Sequence, residues 1–316
     1  MLVLVTGATG FLGRRVVPEL QEHRHQVRCL VHTPGRERVF SPRSVDVHYG
    51  SVTDPDALAA AFYDVDAVVH LVGIIRRRKR LTYDQINLQG VANVLAAAKE
   101  RRVKHFVLVS AVGATGNRAY PYLYSKWQGE QQVIKSGLPY TIIRPSVIFG
   151  AGDEFLNVIA GLVRVFPLVP VVGPGRNRLQ PIAVEDIARC IALAVDREDL
   201  KGKIIELGGP RQLSYNEIVA EVARALGKRR LRVHLPVWLT YVLAAAAQRV
   251  LPRPPVTTDQ LRLLPVRNVA EPEVVDKTFG FTPRELEGNI DYVRSVGVRD
   301  GINILTGYMP PRIRDH

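Results

Sequence analysis

The chain alternates short apolar runs with helical stretches from its first residues, and this alternation constrains the fold more than any other feature. The runs are MLVLVTG, QVRCLVH, VDVHYG, DAVVHLVG, KHFVLVSA and YTIIRPSVIFG. Because they are continuously apolar rather than alternating with polar residues, we expect helices to cover both faces of each strand. The sequence therefore predicts an α/β fold built on a doubly wound parallel sheet.

Three glycines lie at the first junction of strand and helix, in LVTGATGFLGRRVV. Gly7 permits a tight turn, Gly10 lets a pyrophosphate approach the backbone, and Gly13 lets the helix pack closely on the strand. The free N–H groups and the dipole of a helix N-terminus both favour an anion. The context predicts a Rossmann-type dinucleotide site, and the alternative is a turn whose glycines serve packing alone.

The end of the second apolar run, CLVHTPGRER, bears on the choice of dinucleotide. NAD sites carry an acidic residue about twenty positions after the glycines, whereas NADP sites carry a basic one. No Asp or Glu occurs there before Glu37. Arg14, His32, Arg36 and Arg38 are available to surround a 2′-phosphate, which guanidinium groups bind well. The pattern favours NADP over NAD, although these arginines could also be the ordinary surface of a basic protein.

A tyrosine and a lysine four residues apart, Tyr122 and Lys126, open the helix that follows HFVLVSA. That spacing places both side chains on one helix face. A phenol with a pKa of about 10 exchanges protons poorly at neutral pH unless positive charge lowers its pKa. Lys126 and an oxidised nicotinamide would supply such charge. The pair predicts proton transfer coupled to hydride transfer, with Ser110 as the candidate for orienting the substrate oxygen. Alternatively, Tyr122 packs in the core and Lys126 extends to solvent.

The regular alternation fades after Gly150 and returns once, at Val184 to Val195 and GKIIELGG. We therefore expect a Rossmann domain of residues 1–150 with 178–208. Residues 151–177 with 209–316 should form a smaller, mostly helical lobe for a substrate or partner, with a final helical piece near residues 284–296. Open α/β sheets bind ligands at the carboxyl ends of their strands, so a small-molecule substrate is expected in the cleft between the lobes.

The composition indicates which cellular compartment and which kinds of partner to expect. The two cysteines, Cys29 and Cys190, match no metal or redox spacing, which favours a reduced cytoplasmic setting without a metal site. The N-terminus lacks the features of a signal peptide. The longest apolar run, Pro236 to Ala247, is too short to span a bilayer, so we expect any membrane contact to be peripheral.

The net charge of +13 must attract an anion or decorate a solvated surface. The densest basic run, Arg76 to Arg80, is interpreted as a solvated loop, with anionic lipid or an acidic partner as the next choice. No nucleic-acid-binding motif surrounds it, so nucleic acid is not an expected partner.

Proline and capping residues predict several helix boundaries. Pro121 is suited to a first helical position, and Gly137 should follow the end of the same helix. Ser214 followed by Glu217 is a capping-box pattern. Pro18 lies inside the first predicted helix, where we expect a kink on the outer face.

The motifs VTGATGFLG, DAVVHLVG, INLQGVANVLAAA, FVLVSA, YLYSK and IRPSVIFG resemble the extended and atypical short-chain dehydrogenase/reductase superfamily, whose members include NAD-dependent epimerases and dehydratases. The similarity covers nearly the whole chain. SKWQGEQQVIKSGLPYTIIRPSVIFGAGDEF, QPIAVEDIA and TTDQLRLLPVRNVAE look most like bacterial relatives of the nucleotide-binding accessory subunit of respiratory complex I. Photosystem assembly factors of cyanobacteria and plastids belong to the same branch.

The resemblance implies a set of binding residues. The diphosphate would contact Gly7, Thr9, Gly10, Phe11, Leu12 and Gly13; adenine would lie by Ser51 and Val52; the cofactor would be lined by Leu71, Val72 and Gly73; and the nicotinamide would be approached by Pro145, Ser146, Val147 and Ile148. Tyr122 and Lys126 match the family's catalytic pair, and Lys126 would also hold ribose hydroxyls. Ala111 and Val112 stand where extended members usually place a catalytic hydroxyl, which leaves Ser110 as a candidate only.

Two functions follow from these observations. The first is an NAD(P)H-dependent oxidoreductase acting on a carbonyl or hydroxyl of a hydrophobic substrate such as a quinone or an isoprenoid. The second is a non-catalytic nucleotide-binding accessory or assembly factor of a membrane-bound respiratory or photosynthetic complex. An RNA-binding role has only the basic composition in its favour.

Overall fold

A computed structural model describes residues 1–41, 43–77, 81–251 and 254–314. Its strands are β1 (Leu2–Thr6), β2 (Gln26–Val31), β3 (Asp46–Tyr49), β4 (Ala67–His70), β5 (His105–Val109), β6 (Tyr140–Pro145), β7 (Ile148–Phe149), β8 (Leu168–Val172), β9 (Arg178–Leu179), β10 (Ile182–Ala183), β11 (Lys203–Leu207), β12 (Leu213–Ser214) and β13 (Leu231–Leu235).

The α-helices are α1 (Gly13–Glu22), α2 (Pro55–Ala61), α3 (Gly90–Glu100), α4 (Pro121–Ile134), α5 (Phe155–Val165), α6 (Val184–Asp196), α7 (Tyr215–Ala225), α8 (Val237–Val250), α9 (Thr258–Leu261), α10 (Val274–Phe279), α11 (Val298–Leu305) and α12 (Pro311–Arg314). A π-helical segment, Asp84–Gln89, runs directly into α3.

The main sheet has seven strands within the described residues, in the order β11-β6-β5-β4-β1-β2-β3. Every neighbouring pair in it is parallel. The central strands β4 and β5 are buried along their whole length, as expected for strands covered on both faces. The predicted doubly wound parallel fold is confirmed. The strand order reverses between β1 and β4, and dinucleotides bind at such a reversal in open α/β sheets.

The chain divides into two compact units, residues 1–145 with 184–207 and residues 146–183 with 208–316. These bounds differ from the expected ones, because residues 146–150, 178–183 and 208 lie in the second unit. The reason is local pairing: β7 pairs in parallel with β10 in a sheet of their own. Neither strand joins the seven-stranded sheet.

Local sequence signals account for several helix boundaries. Helix α4 begins at Pro121, and Ser214 and Glu217 form a capping box at the start of α7. Pro18 lies within α1 at an exposed position, and it has no N–H to donate to the carbonyl of Arg14. The expected helix near residues 284–296 is reduced to a 3₁₀ segment, Asp291–Ser295, because Gly288 adopts a left-handed conformation (φ = 77°) that an α-helix cannot contain.

Each unit has its own apolar core. The core of the first includes Leu4, Phe62 and Phe106, and that of the second includes Leu156 and Ile218. Both cysteines are buried. None of the helices in the described part of the chain is long and apolar enough to cross a membrane. Three residues of the basic run, 78–80, lie outside the described residues.

Candidate cofactor and active site

The glycine turn between β1 and α1 is formed by close backbone contacts. Gly7 has a left-handed φ of 77°, and a Cβ there would lie 3.2 Å from the backbone nitrogen of Val72. A Cβ at Gly13 would lie 2.3 Å from the carbonyl oxygen of Gly7, so only glycine permits this approach of helix and turn. At Gly10 a Cβ would have one neighbour within 4 Å, the same Gly7 oxygen at 3.1 Å.

Gly10 is therefore exposed backbone at the start of a helix, next to strands whose carboxyl ends meet there. Its own N–H donates to Gly7 O (3.0 Å), and the N–H groups of Arg14 and Arg15 at the start of α1 donate to Gly10 O (3.1 Å) and Leu12 O (3.0 Å). The Arg14 guanidinium donates through Nε to the carbonyl of Thr9 (3.2 Å) and so brings positive charge to the turn. This arrangement fits a diphosphate.

The segment after β4 lies against the glycine turn. The Leu71 N–H donates to the carbonyl of Thr6 on β1 (3.1 Å), and Val72 contacts Gly7. A Cβ at Gly73 would lie 3.3 Å from Lys126 Nζ and 3.4 Å from Asn87 Oδ1. The structure thus brings the glycine turn, residues 71–73 and Lys126 to one edge of the sheet.

The residues predicted at the adenosine end follow β2 and β3. His32 is exposed directly after β2, where its Nδ1 lies 3.2 Å from Thr33 Oγ1. Arg36 begins a 3₁₀ turn, Arg36–Val39, immediately after Gly35. Ser51 Oγ lies 2.8 Å from the hydroxyl of Thr53 after β3. The Val52 side chain, in contrast, is buried in the core of the first unit.

The Lys126 side chain is buried rather than extended into solvent. Its Nζ donates to the carbonyl oxygen of Val109 at the end of β5 (2.7 Å), and the residue is 8% exposed. Burial lowers the pKa of Lys126 to about 8, and the nearby carboxylate of Glu130 partly opposes this shift. Lys126 therefore does not extend to solvent, in contrast to the alternative considered from the sequence.

Tyr122 begins the same helix face, with its ring 6.1 Å from that of Tyr83. Burial raises the pKa of Tyr122 to about 12. This direction is opposite to the one expected from a neighbouring lysine, because loss of water disfavours the charged phenolate. Tyr122 is therefore a protonated phenol at neutral pH.

The hydroxyl of Ser110 is buried and has no hydrogen-bond partner within the described chain. Ser110 directly follows β5, and its N–H donates to Ile143 O on the neighbouring strand (2.7 Å). The expected hydroxyl position of the superfamily is taken by Ala111 and Val112, and the Val112 side chain is buried. Ser110 thus carries an unused hydroxyl next to the carbonyl that Lys126 contacts.

Asn87 connects the parts of this site, and the sequence analysis did not identify it. Its Oδ1 accepts the N–H of Ile74 (2.9 Å), and its Nδ2 donates to Ile74 O (3.1 Å) and to Ser125 Oγ (2.9 Å). The Ser125 hydroxyl in turn donates to the carbonyl of Tyr122 (2.7 Å). Asn87 lies in the π-helical segment, a distortion common at functional sites. The sequence motif INLQG, which contains Asn87, is the signal that could have identified this residue.

Two more buried groups set the charge around Lys126. His70 at the end of β4 is fully buried, and burial together with the Lys126 charge lowers its pKa to about 3, so the imidazole is neutral. Its Nδ1 lies 2.8 Å from Thr6 Oγ1. Glu130, one turn after Lys126, is also fully buried and forms a bidentate pair with Arg144 (2.9 and 2.6 Å).

The residues expected beside the nicotinamide fall on both sides of a unit boundary. Pro145 ends β6 in the first unit, whereas residues 146–148 begin the second. There the Ser146 hydroxyl donates to Asn268 Oδ1 (2.7 Å), and Ile148 pairs with Ile182.

A parallel sheet with a glycine turn at its first helix defines the class of Rossmann-type dinucleotide-binding proteins. The chain belongs to the NAD dependent epimerase/dehydratase family, whose model matches residues 3–208. This confirms the superfamily expected from the motifs.

Several curated proteins are similar to this chain. It is 30% identical to the ceramide reductase of Caulobacter vibrioides over 74% of each chain. It is 28% identical to the mitochondrial NADH dehydrogenase [ubiquinone] 1 alpha subcomplex subunit 9 of Arabidopsis thaliana, over 78% of this chain but only 63% of the plant protein. The expected resemblance to a complex I subunit is confirmed.

Among solved structures, the UDP-glucose 4-epimerase of Thermotoga maritima has the same fold. The TM-score is 0.72 at 20% identity, with 92% of this chain and 96% of the epimerase covered.

Proposed function

We propose that the protein is an NADPH-dependent reductase that acts on the carbonyl group of a hydrophobic substrate, such as a quinone, an isoprenoid or a keto lipid. The observation that carries this proposal is the buried ammonium group of Lys126, which lies on the same helix face as Tyr122. Its Nζ is 3.3 Å from the point that a Cβ on Gly73 would occupy, so it lies beside the backbone of the segment after β4. The similarity to a ceramide reductase supports a lipid-like substrate.

When held at the glycine turn, NADPH would supply a hydride to the carbonyl carbon. Tyr122 would donate its phenolic proton to the carbonyl oxygen, which would complete an alcohol. A pKa of about 12 keeps this phenol protonated, which favours reduction over oxidation at neutral pH. The Ser110 hydroxyl donates a hydrogen bond to the same oxygen, and the Lys126 charge stabilises the phenolate that remains.

A preference for NADPH is part of the proposal. His32 and Arg36 follow β2, where a 2′-phosphate would lie, and Arg14 lies at the glycine turn. We expect Arg36→Gln to weaken NADPH binding roughly tenfold and to leave NADH binding unchanged, because only NADPH carries the phosphate. Arg102→Gln, at an exposed position just after α3, is the matched control for loss of charge.

The proposed reaction is tested by NADPH oxidation against panels of quinones, aldehydes and keto lipids. Tyr122→Phe removes the proton donor and should abolish turnover without weakening NADPH binding. Tyr124→Phe is the control, since Tyr124 lies in the same helix but stacks on Trp127. Turnover by Tyr122→Phe equal to that of Tyr124→Phe would exclude Tyr122 as the acid.

A second candidate function is a nucleotide-binding accessory or assembly factor of a membrane-bound complex, in peripheral contact with that complex. The absence of a hydroxyl at Ala111 and Val112 and the similarity to a complex I subunit favour it. Tight NADPH binding with no turnover on any panel would support this function in place of the reductase.

A further inference from the structure

Helix α8 of the second unit turns its apolar side chains outward. Trp238 is 68% exposed, Val242 59%, Leu243 51% and Val250 81%. These four residues are called the α8 face below. Within α8, all of which is described, Ala244 is the one buried residue. A helix packed on a globular core normally buries its apolar stripe, so this orientation is the reverse of the usual one.

The exposed residues form one continuous stripe. At 3.6 residues per turn, Trp238 and Val242 lie about 40° apart around the helix axis, and Leu243 and Val250 about 20° apart. The four residues together span an arc of about 140°, with Ala244 on the opposite side. The preceding strand, β13, also exposes an apolar side chain. Its Leu231 is exposed and is paired in register with Leu168 of β8, which is also exposed.

The sequence segment that contains this helix is basic, and of its cations Arg224 pairs with Glu221 and Glu287, which lie outside the segment. Residues 222–258 contain seven Lys or Arg residues and no Asp or Glu. Lys228, Arg229 and Arg232 before the helix, and Arg249 near its end, are exposed. The segment therefore joins an apolar helical stripe to a cluster of cations that no acidic residue of the segment neutralises.

We propose that the α8 face inserts into the interfacial region of an anionic lipid bilayer. Interfacial helices combine an apolar face containing Trp or Leu with flanking Lys and Arg residues, and lie in the plane of the membrane. Tryptophan prefers the depth at which apolar chains meet the headgroups, and each cation is attracted by anionic headgroups. The stripe offers the Trp238 indole N–H as its one hydrogen-bonding side chain, whereas protein interfaces carry many hydrogen bonds. This favours lipid over an acidic protein partner.

This inference goes beyond the proposed reduction and does not depend on it. It is tested by co-sedimentation of the full chain with vesicles of phosphatidylcholine alone or of equal parts phosphatidylcholine and phosphatidylglycerol. We expect binding to the anionic vesicles, weaker binding to the neutral ones, and a loss of binding as salt is added. Equal binding to both vesicles, or none to either, would overturn the proposal.

Fluorescence locates the contact, because the chain has two tryptophans, Trp127 and Trp238. In Trp127→Phe the remaining emission comes from Trp238, and we expect it to shift to shorter wavelength when anionic vesicles are added. An unshifted emission with bound vesicles would place the contact elsewhere and contradict the proposal.

Two aspartate substitutions provide the matched comparison. Val242→Asp adds a carboxylate to the α8 face, and we expect it to weaken vesicle binding roughly tenfold or more. Val298→Asp makes the same change on α11, where Val298 is 56% exposed, and should bind vesicles as the parent does. Equal binding by the two variants would refute the assignment.

The same variants separate other occupants of this face. If a second copy of the chain covers it, sedimentation equilibrium of the parent will show a dimer that Val242→Asp dissociates, and vesicles will not bind; that outcome contradicts the proposal. NADPH binding by Val242→Asp should equal that of the parent, which separates a failure of lipid binding from a failure of the cofactor site.

Discussion

At Lys126 a cation is held inside the protein by a single carbonyl and by the field of a buried carboxylate. Its Nζ bonds to Val109 O, and Glu130 lies one helical turn away. Burial disfavours the charged form and Glu130 favours it, so the pKa falls, to about 8, but not below neutral pH. Small changes in this environment will therefore change the fraction of charged lysine under ordinary conditions.

The first prediction concerns pH. Deprotonation of Lys126 removes the charge that stabilises the Tyr122 phenolate, so kcat/KM should fall as the pH rises through about 8. An arginine remains charged throughout this range, so Lys126→Arg should lose the fall even if its overall rate is lower. The measurement is a pH profile of NADPH oxidation, with Lys135→Arg as the control at the end of the same helix. A Lys126→Arg profile that still falls near pH 8 would assign the titration to another group.

The second prediction concerns Asn87. Replacing it with alanine removes hydrogen bonds to both polar groups of the Ile74 backbone and to Ser125. We expect Asn87→Ala to lower the free energy of unfolding by about 2 kcal/mol, since a buried partner is left unpaired. Asn93→Ala, which removes a donor to the carbonyl of Val52, should cost about 1 kcal/mol or less. Urea denaturation of both variants measures the difference, and equal losses would argue against a special role for Asn87.

At the scale of secondary-structure elements, an ion pair connects helix α4 to the main sheet. Arg144 on β6 is bonded on one side to the fully buried Glu130 of α4 and on the other to the half-exposed Glu206 of β11. The helix that carries Tyr122 and Lys126 is thus fixed against two strands. A buried pair of this kind is weak evidence for net stability, but breaking it leaves an uncompensated charge.

The third prediction compares the two sides of this network. Glu130→Ala leaves Arg144 with one exposed partner and should lower the free energy of unfolding by about 3 kcal/mol or more. Glu206→Ala also removes an ion pair of Arg144, but at a position where water can take the place of the carboxylate. It should lower the free energy of unfolding by less than about 1 kcal/mol. Thermal and urea unfolding of the two variants provide the comparison. Equal losses of stability in Glu130→Ala and Glu206→Ala would contradict this prediction.

The fourth prediction concerns the glycine turn. A Cβ at Gly13 would lie 2.3 Å from Gly7 O, so Gly13→Ala must move helix α1 away from the turn. We expect a loss of roughly 1–3 kcal/mol in stability and of most NADPH affinity. Gly116→Ala, where the nearest atom would lie at 3.5 Å, should change stability by less than about 0.5 kcal/mol. Unchanged NADPH binding by Gly13→Ala would remove the turn from the cofactor site.

Elements were predictable from the sequence wherever a local signal determines them. Continuous apolar runs predicted the parallel strands, Pro121 predicted the start of α4, and Ser214 with Glu217 predicted the cap of α7. The expected helix near residues 284–296 was wrong, because the apolar periodicity there did not reveal the left-handed backbone of Gly288.

The site was less predictable, because its properties come from residues distant in sequence. Asn87 bonds to Ser125 across 38 positions, and the pairing of Glu130 with Arg144 requires β6 to lie beside α4. The upward shift of the Tyr122 pKa depends on burial, which the spacing of residues along the sequence does not reveal. Ser110 could be named a candidate, but its lack of a partner is visible only in three dimensions.

At the scale of the whole molecule, the family match to residues 3–208 includes nearly all of the first unit and residues 146–183 of the second. The second unit also carries an outward-facing apolar helix within a basic segment that contains no Asp or Glu. The proposed catalytic residues, Ser110, Tyr122 and Lys126, and the α8 face lie in separate units and can be tested separately by substitution.

The central claim is that the backbone at Gly7, Gly10 and Gly13 binds the diphosphate of a nicotinamide dinucleotide. Calorimetric titration of the purified chain with NADPH tests it most directly. The account predicts saturable binding of one NADPH per chain, retained in Gly116→Ala and lost or severely weakened in Gly13→Ala. Absence of binding to either NADPH or NADH by the folded parent would contradict it.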